Sequence, residues 1–263
     1  MTGIILAAGM GTRLGELTRD RPKAMLEFAG RTLLDWQVAA YRRCGVERVV
    51  VVGGYRDDTL RCDETVVRYR NPAYDHTNMV ESLMCARAEL TGPVLLSYGD
   101  VLFEDRLLEA AIAARCDVGV TVDTDWQPYW QARYGNVTTD TETLRLDDEG
   151  RITRIGQPDP GPDDLDARYV GLLRFSDVGT KQLLGVYDQA REAHAGGPWQ
   201  TSRQFEQGYL TDLLQEAIDQ RVEVQAVSTR RGWLEFDTTD DYELATRWVR
   251  EGRLDEFCAL NLG

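Results

Sequence analysis

Histidine is almost missing from this chain of 263 residues: His76 and His194 are the two it has, and neither stands in a motif for a catalytic triad or a metal site. Positive charge is scarce too. Against 44 Asp and Glu there are 30 Lys and Arg, and the formal charge of −14 would repel a nucleic-acid backbone, which excludes polymeric DNA or RNA as the expected partner. No stretch approaches the roughly 20 apolar residues that a membrane-spanning helix needs. No basic leader precedes the first apolar run, so a cytoplasmic protein without a membrane partner is expected. Cysteine is limited to Cys44, Cys62, Cys85, Cys116 and Cys258, an odd number with no C-x-x-C pair. That suggests neither a disulfide framework nor a zinc knuckle, and the five read as buried thiols. There is no internal repeat and no low-complexity tract.

What is present is ordinary globular material, 43% hydrophobic and 28% charged, in a length that supports a sizeable core and reads as one domain. Residues 3–8 form a short buried strand that runs into a glycine turn. Positions 32–43 carry Leu33, Leu34, Trp36, Val38 and Ala39 at helical spacing, and V-E-R-V-V-V-V-G-G at 46–54 is a β-branched run closed by glycines. Such continuous apolar strands belong to parallel sheets covered on both faces. Strands at 65–69 and 94–97 and helices at 80–88 and 105–115 continue the alternation, which predicts a Rossmann-like, doubly wound, mostly parallel α/β sheet. From about 118 the rhythm changes. V-G-V-T-V-D and a hairpin turning at Asp148-Glu149-Gly150 predict a small mixed β insertion. A strand at 169–175, helices near 177–194 and 203–219, a strand at 222–227 and a helix from Asp240 to Glu251 complete the chain. The segment 157–167, rich in Pro, Gly and Asp, reads as a loop, either a lid or ordinary surface.

After the first strand comes L-A-A-G-M-G-T-R-L at 6–14, with Pro22-Lys23 beyond it. Gly9 and Gly11 let the backbone approach phosphate oxygens with its N–H groups, Thr12 lies in the same turn, and Arg13 and Lys23 supply cationic donors, a set suited to a triphosphate. Two glycines alone are common in strand-to-helix turns. The spacing also fails the dinucleotide fingerprint, since Leu14 stands where the third glycine belongs, and it lacks the G-K-[ST] of a P-loop. Asp100 ends V-L-L-S-Y-G-D, and Asp237 follows the short apolar segment G-W-L-E-F. Carboxylates at strand C-termini lie where α/β sheets place ligands, and Mg²⁺ takes one or two of them and fills its other positions with water and phosphate. Taken singly, each aspartate would equally serve as the cap of its own turn.

The whole string L-A-A-G-x-G-T-R-L-x(8)-K resembles the signature of the nucleotidyltransferases that activate sugar phosphates and phosphocholine. N-M-V-E-S-L (78–83), D-T-D-W-Q-P-Y-W-Q-A-R (123–133), D-T-E-T-L (140–144), R-Y-V-G-L-L-R-F-S (168–176), Y-L-T-D-L-L-Q (209–215) and G-W-L-E-F-D-T (232–238) are similar to its phosphocholine and phosphonate cytidylyltransferase branch. The resemblance implies a nucleotide-diphospho-sugar-transferase-like fold, with a nucleotide-binding half at 1–117, a substrate-binding half at 118–239 and a C-terminal helix in 240–263. It implies Asp100 and Asp237 as holders of Mg²⁺ between the substrate phosphate and the α-phosphate of the NTP. It implies nucleobase contacts from Leu6, Ala8 and Gly9, from Asn78 and Ser82, and from the strand end at Tyr98.

The reaction so implied joins a nucleoside monophosphate to a small phosphate or phosphonate and releases pyrophosphate. The acceptor's own oxygen, largely dianionic with a second pKa of about 6, is the nucleophile, and Arg13 and Lys23 stabilise charge. CTP is implied by the branch alone, and phosphocholine, aminoethyl- or hydroxyethylphosphonate and a phosphoglutamine-like compound are unranked acceptors. Trp126, Trp130, Tyr169 and Trp233, with Asp140, Glu142 or Glu235, suit an aromatic wall for a cationic group, although any one of these aromatics would equally be core packing. A sugar-1-phosphate nucleotidyltransferase using dTTP, UTP or GTP shares the chemistry. A regulatory nucleotide-binding module without catalysis is the reading from another class. Exposed aromatics would also serve a homodimer contact.

Overall fold

The computed structural model describes residues 1–260. In chain order the elements are β1 (Thr2–Ala7), β2 (Glu27–Phe28), β3 (Arg31–Thr32), α1 (Leu33–Arg43), β4 (Arg48–Gly53), β5 (Val67–Arg70), α2 (Met79–Cys85), β6 (Val94–Tyr98) and β7 (Val101–Phe103). They continue with α3 (Asp105–Ala113), β8 (Val118–Asp123), α4 (Gln127–Tyr134), β9 (Glu142–Leu146), β10 (Ile152–Pro158), β11 (Arg168–Phe175), α5 (Asp177–His194), α6 (Leu210–Asp219), β12 (Val224–Thr229), β13 (Trp233–Glu235) and α7 (Thr239–Glu251).

Seven strands form one sheet in the order β12-β8-β11-β6-β1-β4-β5, and β11 alone runs against its neighbours. Every residue of β1 is buried because the sheet is covered on both faces. Along that strand Ile5 and Ala7 enter one apolar cluster and Ile4 and Leu6 enter the other, the period-two alternation that a pleated strand imposes. The expected fold is therefore the observed one. β8, expected to open a separate small layer, instead pairs with β11 and β12 inside the central sheet, and the detached layer is the β9–β10 hairpin.

The helix expected over 203–219 begins at Leu210, behind a short 3₁₀ turn at Phe205–Gln207. Gly208 interrupts it in an extended conformation, where a Cβ would stand 2.5 Å from the Trp199 ring. α4, with Pro128 in its first turn, was hidden in a segment whose aromatics show no clear period. The segment expected as a loop over 157–167 begins inside β10, which runs to Pro158, and further on Asp166 N–H donates to Leu144 O of the hairpin at 2.9 Å. All five cysteines are free; Cys258 alone is buried, and the other four are of intermediate exposure, which corrects the expected buried set. Among the described residues Tyr209 is the one exposed aromatic, so the expected dimer-forming set of exposed aromatics is not present.

Two short strands set the site. β6 ends at Tyr98, the chain turns through Gly99 and Asp100, and β7 then pairs antiparallel with β13 in the register Val101↔Glu235. That pairing brings residue 237 beside residue 100, and Phe236 N–H donates to Asp100 O at 3.0 Å. Gly99 is needed there, since a Cβ would stand 2.8 Å from Leu6 O.

Candidate active site

Beyond β1 the chain turns at Gly11, whose φ of 63° is left-handed; a Cβ there would stand 3.2 Å from both Lys23 Cβ and Thr18 Cγ2. Thr18 Oγ1 donates to Gly11 O at 2.8 Å and ties the turn down. Gly9 has no protein atom within 4 Å of where its Cβ would be, so a side chain would project into open space.

All ten residues expected to meet the nucleotide line one cleft of about 290 Å³: Leu6, Ala8, Gly9, Gly11, Thr12 and Arg13 from the glycine turn, then Lys23, Asn78, Ser82 and Tyr98. Asn78 caps α2 with its side chain accepting from Met79 N–H, and buried Asn71 donates to Thr77 Oγ1 and Ser82 Oγ at 2.9 and 3.0 Å, which fixes that wall. Tyr74 and Thr77 also line the cleft. They were missed because the 71–77 loop has neither periodicity nor a glycine signature.

Asp100 and Asp237 meet at a single positive charge. Lys23 Nζ lies 2.6 Å from Asp100 Oδ2 and 2.8 Å from Asp237 Oδ1, and Arg13 Nη2 lies 2.5 Å from Asp237 Oδ2. Burial alone would lower the Lys23 pKa, but the two carboxylates outweigh it and raise it well above the ordinary lysine value. Burial pushes Asp237 up, yet Lys23 and Arg13 hold it below the usual carboxylate range. Neither aspartate is a helix cap: α3 starts from Glu104 without a side-chain cap, and α7 is capped by Thr238, whose side chain accepts from Asp241 N–H. The capping alternative therefore falls away. The ammonium of Lys23 lies between the two carboxylates, and a pair of carboxylates is a donor set of the kind a divalent ion takes when substrate phosphates complete its shell. No group of three or more His, Cys, Asp or Glu side chains suited to a metal exists among the described residues.

A second pocket opens beside the cleft and shares Arg13, Met79, Tyr98, Asp100 and Asp237 with it. Tyr169, Asp140, Glu142 and Glu235 line this pocket, as expected. Trp126, Trp130 and Trp233 do not: they are 2%, 0% and 1% exposed and belong to the core, which corrects the expected tryptophan wall. The β7–β13 pairing and α4 turn them inward, where Trp233 Nε1 donates to Asp123 Oδ2 at 2.9 Å and Trp130 Nε1 to Thr139 O at 2.8 Å. The Trp130 ring supports two arginines instead. Arg168 Cζ lies 4.0 Å from the Trp130 ring centroid and Arg133 Cζ 4.6 Å from it.

Arg133 reaches Glu235 Oε2 at 2.5 Å and Asp241 Oδ1 at 2.8 Å; Asp241 Oδ2 in turn accepts from Asp237 N–H at 3.1 Å. A buried guanidinium thus holds the turn that presents Asp237. Glu142 opens into the pocket but is walled by protein, and this desolvation, opposed by Arg168 and reinforced by Asp140, pushes its carboxyl up to about 7. Burial likewise raises Glu235 against the pull of Arg133. Arg133, Arg168, Tyr209 and Thr211 escaped the sequence reading, because an arginine's role here depends on an indole brought up by packing.

The MobA-like NTP transferase domain matches residues 3–156. The CTP:phosphoglutamine cytidylyltransferase of Campylobacter jejuni is 30% identical over 256 residues, 93% of this chain and 98% of that protein. The 2-aminoethylphosphonate cytidylyltransferase of Lancefieldella rimae is 30% identical over 68% of this chain and 69% of its own length. In fold, the CTP:phosphocholine cytidylyltransferase of Streptococcus pneumoniae superposes with a TM-score of 0.71 at 19% identity, covering 94% of this chain and 98% of that one. No helix among the described residues is long and apolar enough to cross a membrane. The chain is thus an enzyme of the nucleotidyltransferases and belongs to the MobA-like NTP transferase domain family, in its cytidylyltransferase branch.

Proposed function

We propose that this enzyme transfers CMP from CTP to a small acceptor bearing a phosphate, phosphonate or phosphoramidate, with Mg²⁺ bound at Asp100 and Asp237, and releases pyrophosphate. The observation that carries the reading is the convergence of Asp100, Asp237, Lys23 and Arg13 at the junction of the glycine-lined cleft and the second pocket. A nucleotide in the first and an acceptor in the second would meet there.

The backbone N–H groups of the glycine turn bind the triphosphate, and Tyr98 with its neighbour Tyr169, hydroxyls 3.1 Å apart, separates the two compartments. An acceptor oxygen attacks the α-phosphorus, the bond between the α-phosphorus and the bridging oxygen breaks, and pyrophosphate leaves with the electron pair. Mg²⁺, when bound, supplies Lewis-acid neutralisation of phosphate charge. Arg13 and Lys23 add fixed positive charge where the transferring group and the leaving group carry negative charge. Neither His76 nor His194 lines the cleft, and an acceptor already dianionic needs no protein base.

CTP as donor, and an acceptor of the phosphoglutamine or aminophosphonate kind, are supported by the two relatives. A uridylyltransferase acting on glucose 1-phosphate in Haloferax volcanii is 31% identical over 63% of this chain, but the charged second pocket suits an ionic acceptor better than a hexose. Nucleotide supply and the free cysteines support a cytoplasmic reaction. A matrix of four NTPs against phosphorylated amines, phosphonates and sugar phosphates, read by pyrophosphate release with and without Mg²⁺, tests the proposal. CTP with a charged acceptor should give the fastest release; silence in every combination would overturn it.

A further inference from the structure

The second pocket is lined by two ionisable side chains, Arg168 and Glu142, that join no close ion pair among the described residues. Arg168, at the start of β11, lies over the Trp130 ring, with Cζ 4.0 Å from the ring centroid, and its Nη2 donates to Asp140 O at 2.7 Å. Arg133, stacked on the same indole, is held by Glu235 and Asp241, whereas no carboxylate among the described residues lies within ion-pair distance of Arg168. A guanidinium presents five N–H donors in a planar fork that matches a carboxylate, so one backbone carbonyl leaves most of that fork free. Burial pulls the Arg168 pKa down, and an anionic partner is more valuable there than at the surface. Glu142, at the start of β9, lines the same pocket and joins no ion pair among the described residues.

The pocket meets the nucleotide cleft at Arg13, Asp100 and Asp237, so an acceptor must place its phosphorus at that end and the rest of its length toward Glu142 and Arg168. A neutral polyol would leave both charges unpaired, and an amine alone would leave Arg168 unpaired. We propose that the acceptor is zwitterionic at the end remote from its phosphorus, with a carboxylate received by Arg168 and an ammonium received by Glu142. This rests on the nucleotidyl-transfer reading and narrows it to acceptors with an amino-acid head.

Matched acceptors that differ by one carboxylate test it: O-phosphoserine against phosphoethanolamine, and 2-amino-4-phosphonobutanoate against 3-aminopropylphosphonate. With CTP and Mg²⁺, kcat/KM from pyrophosphate release should favour the carboxylate-bearing member of the better pair by about 10- to 100-fold, as the loss of a charged hydrogen bond implies. Arg168→Gln should collapse that ratio, and Arg168→Lys should restore part of it. Glu142→Gln should raise KM for both members and leave the ratio standing. A purely structural Arg168 would lower both members of a pair alike, and that result would overturn the proposal, as would preference of the wild-type enzyme for the carboxylate-free members. Turnover of carboxylate-free acceptors alone leaves nucleotidyl transfer intact and removes only the zwitterion, whereas no turnover with any acceptor removes both.

Discussion

Lys23 is held by two carboxylates in the interior of the cleft, with its side chain 13% exposed, and its loss would leave Asp100 without an ion-pair partner and Asp237 with Arg13 alone. Lys23→Ala should lower kcat on the order of 10² or more, in line with removal of a preorganised donor, while circular dichroism stays native; near-normal turnover would refute its role. Glu142 offers a second residue-level prediction. Its folded pKa of about 7 lies above the ordinary glutamate value, so the folded state holds a proton that the unfolded chain has released. Stability contributed by this group therefore falls as pH rises from the ordinary glutamate range to about 7, and then levels off. Glu142→Gln should remove that fall, seen as a smaller drop in Tm between pH 5 and 8; an unchanged profile would mean that Glu142 titrates normally.

The elements explain what could be inferred before the structure and what could not. The glycine turn after β1 is local and legible because backbone approach to phosphate needs glycine at fixed positions, whereas Asn78, Ser82 and Tyr98, which line the same cleft, were implied by resemblance alone. The partnership of Asp100 with Asp237 was suggested by resemblance, but its physical cause, the β7–β13 pairing across more than a hundred residues, leaves no periodic trace in two strands of three residues. Trp126, Trp130 and Trp233 were misplaced for the converse reason: a tryptophan in a short irregular stretch looks the same whether it faces ligand or core. Arg133 on α4 was invisible although it anchors the Asp237 turn through Asp241. Arg133→Met should leave two buried carboxylates unpaired and cost about 3–5 kcal/mol in chemical denaturation, whereas a loss under 1 kcal/mol would show that the network does not hold α7.

On the scale of the whole molecule, one seven-stranded sheet joins residues from the first strand to β12, so the expected nucleotide and substrate halves share a single hydrogen-bonded framework. Hydrogen exchange should find the amides of β1, β4 and β6 slowest, because both faces of these strands are buried, and those of the β9–β10 hairpin and of edge strand β5 faster. Equal protection of hairpin and sheet would contradict that layering.

Where the cleft meets the second pocket, Lys23 and Arg13 are matched by Asp100 and Asp237, with Asp140 3.8 Å from Arg13, so the resting centre carries no surplus of positive charge in a protein of −14. A bare triphosphate would upset that balance, and a triphosphate escorted by its own divalent counter-ion would disturb it far less. On the reaction proposed above, calorimetric titration with CTP should give clearly weaker binding in chelator than in Mg²⁺. Charge enters this enzyme in matched pairs, which guards an acidic protein against taking up any stray polyanion.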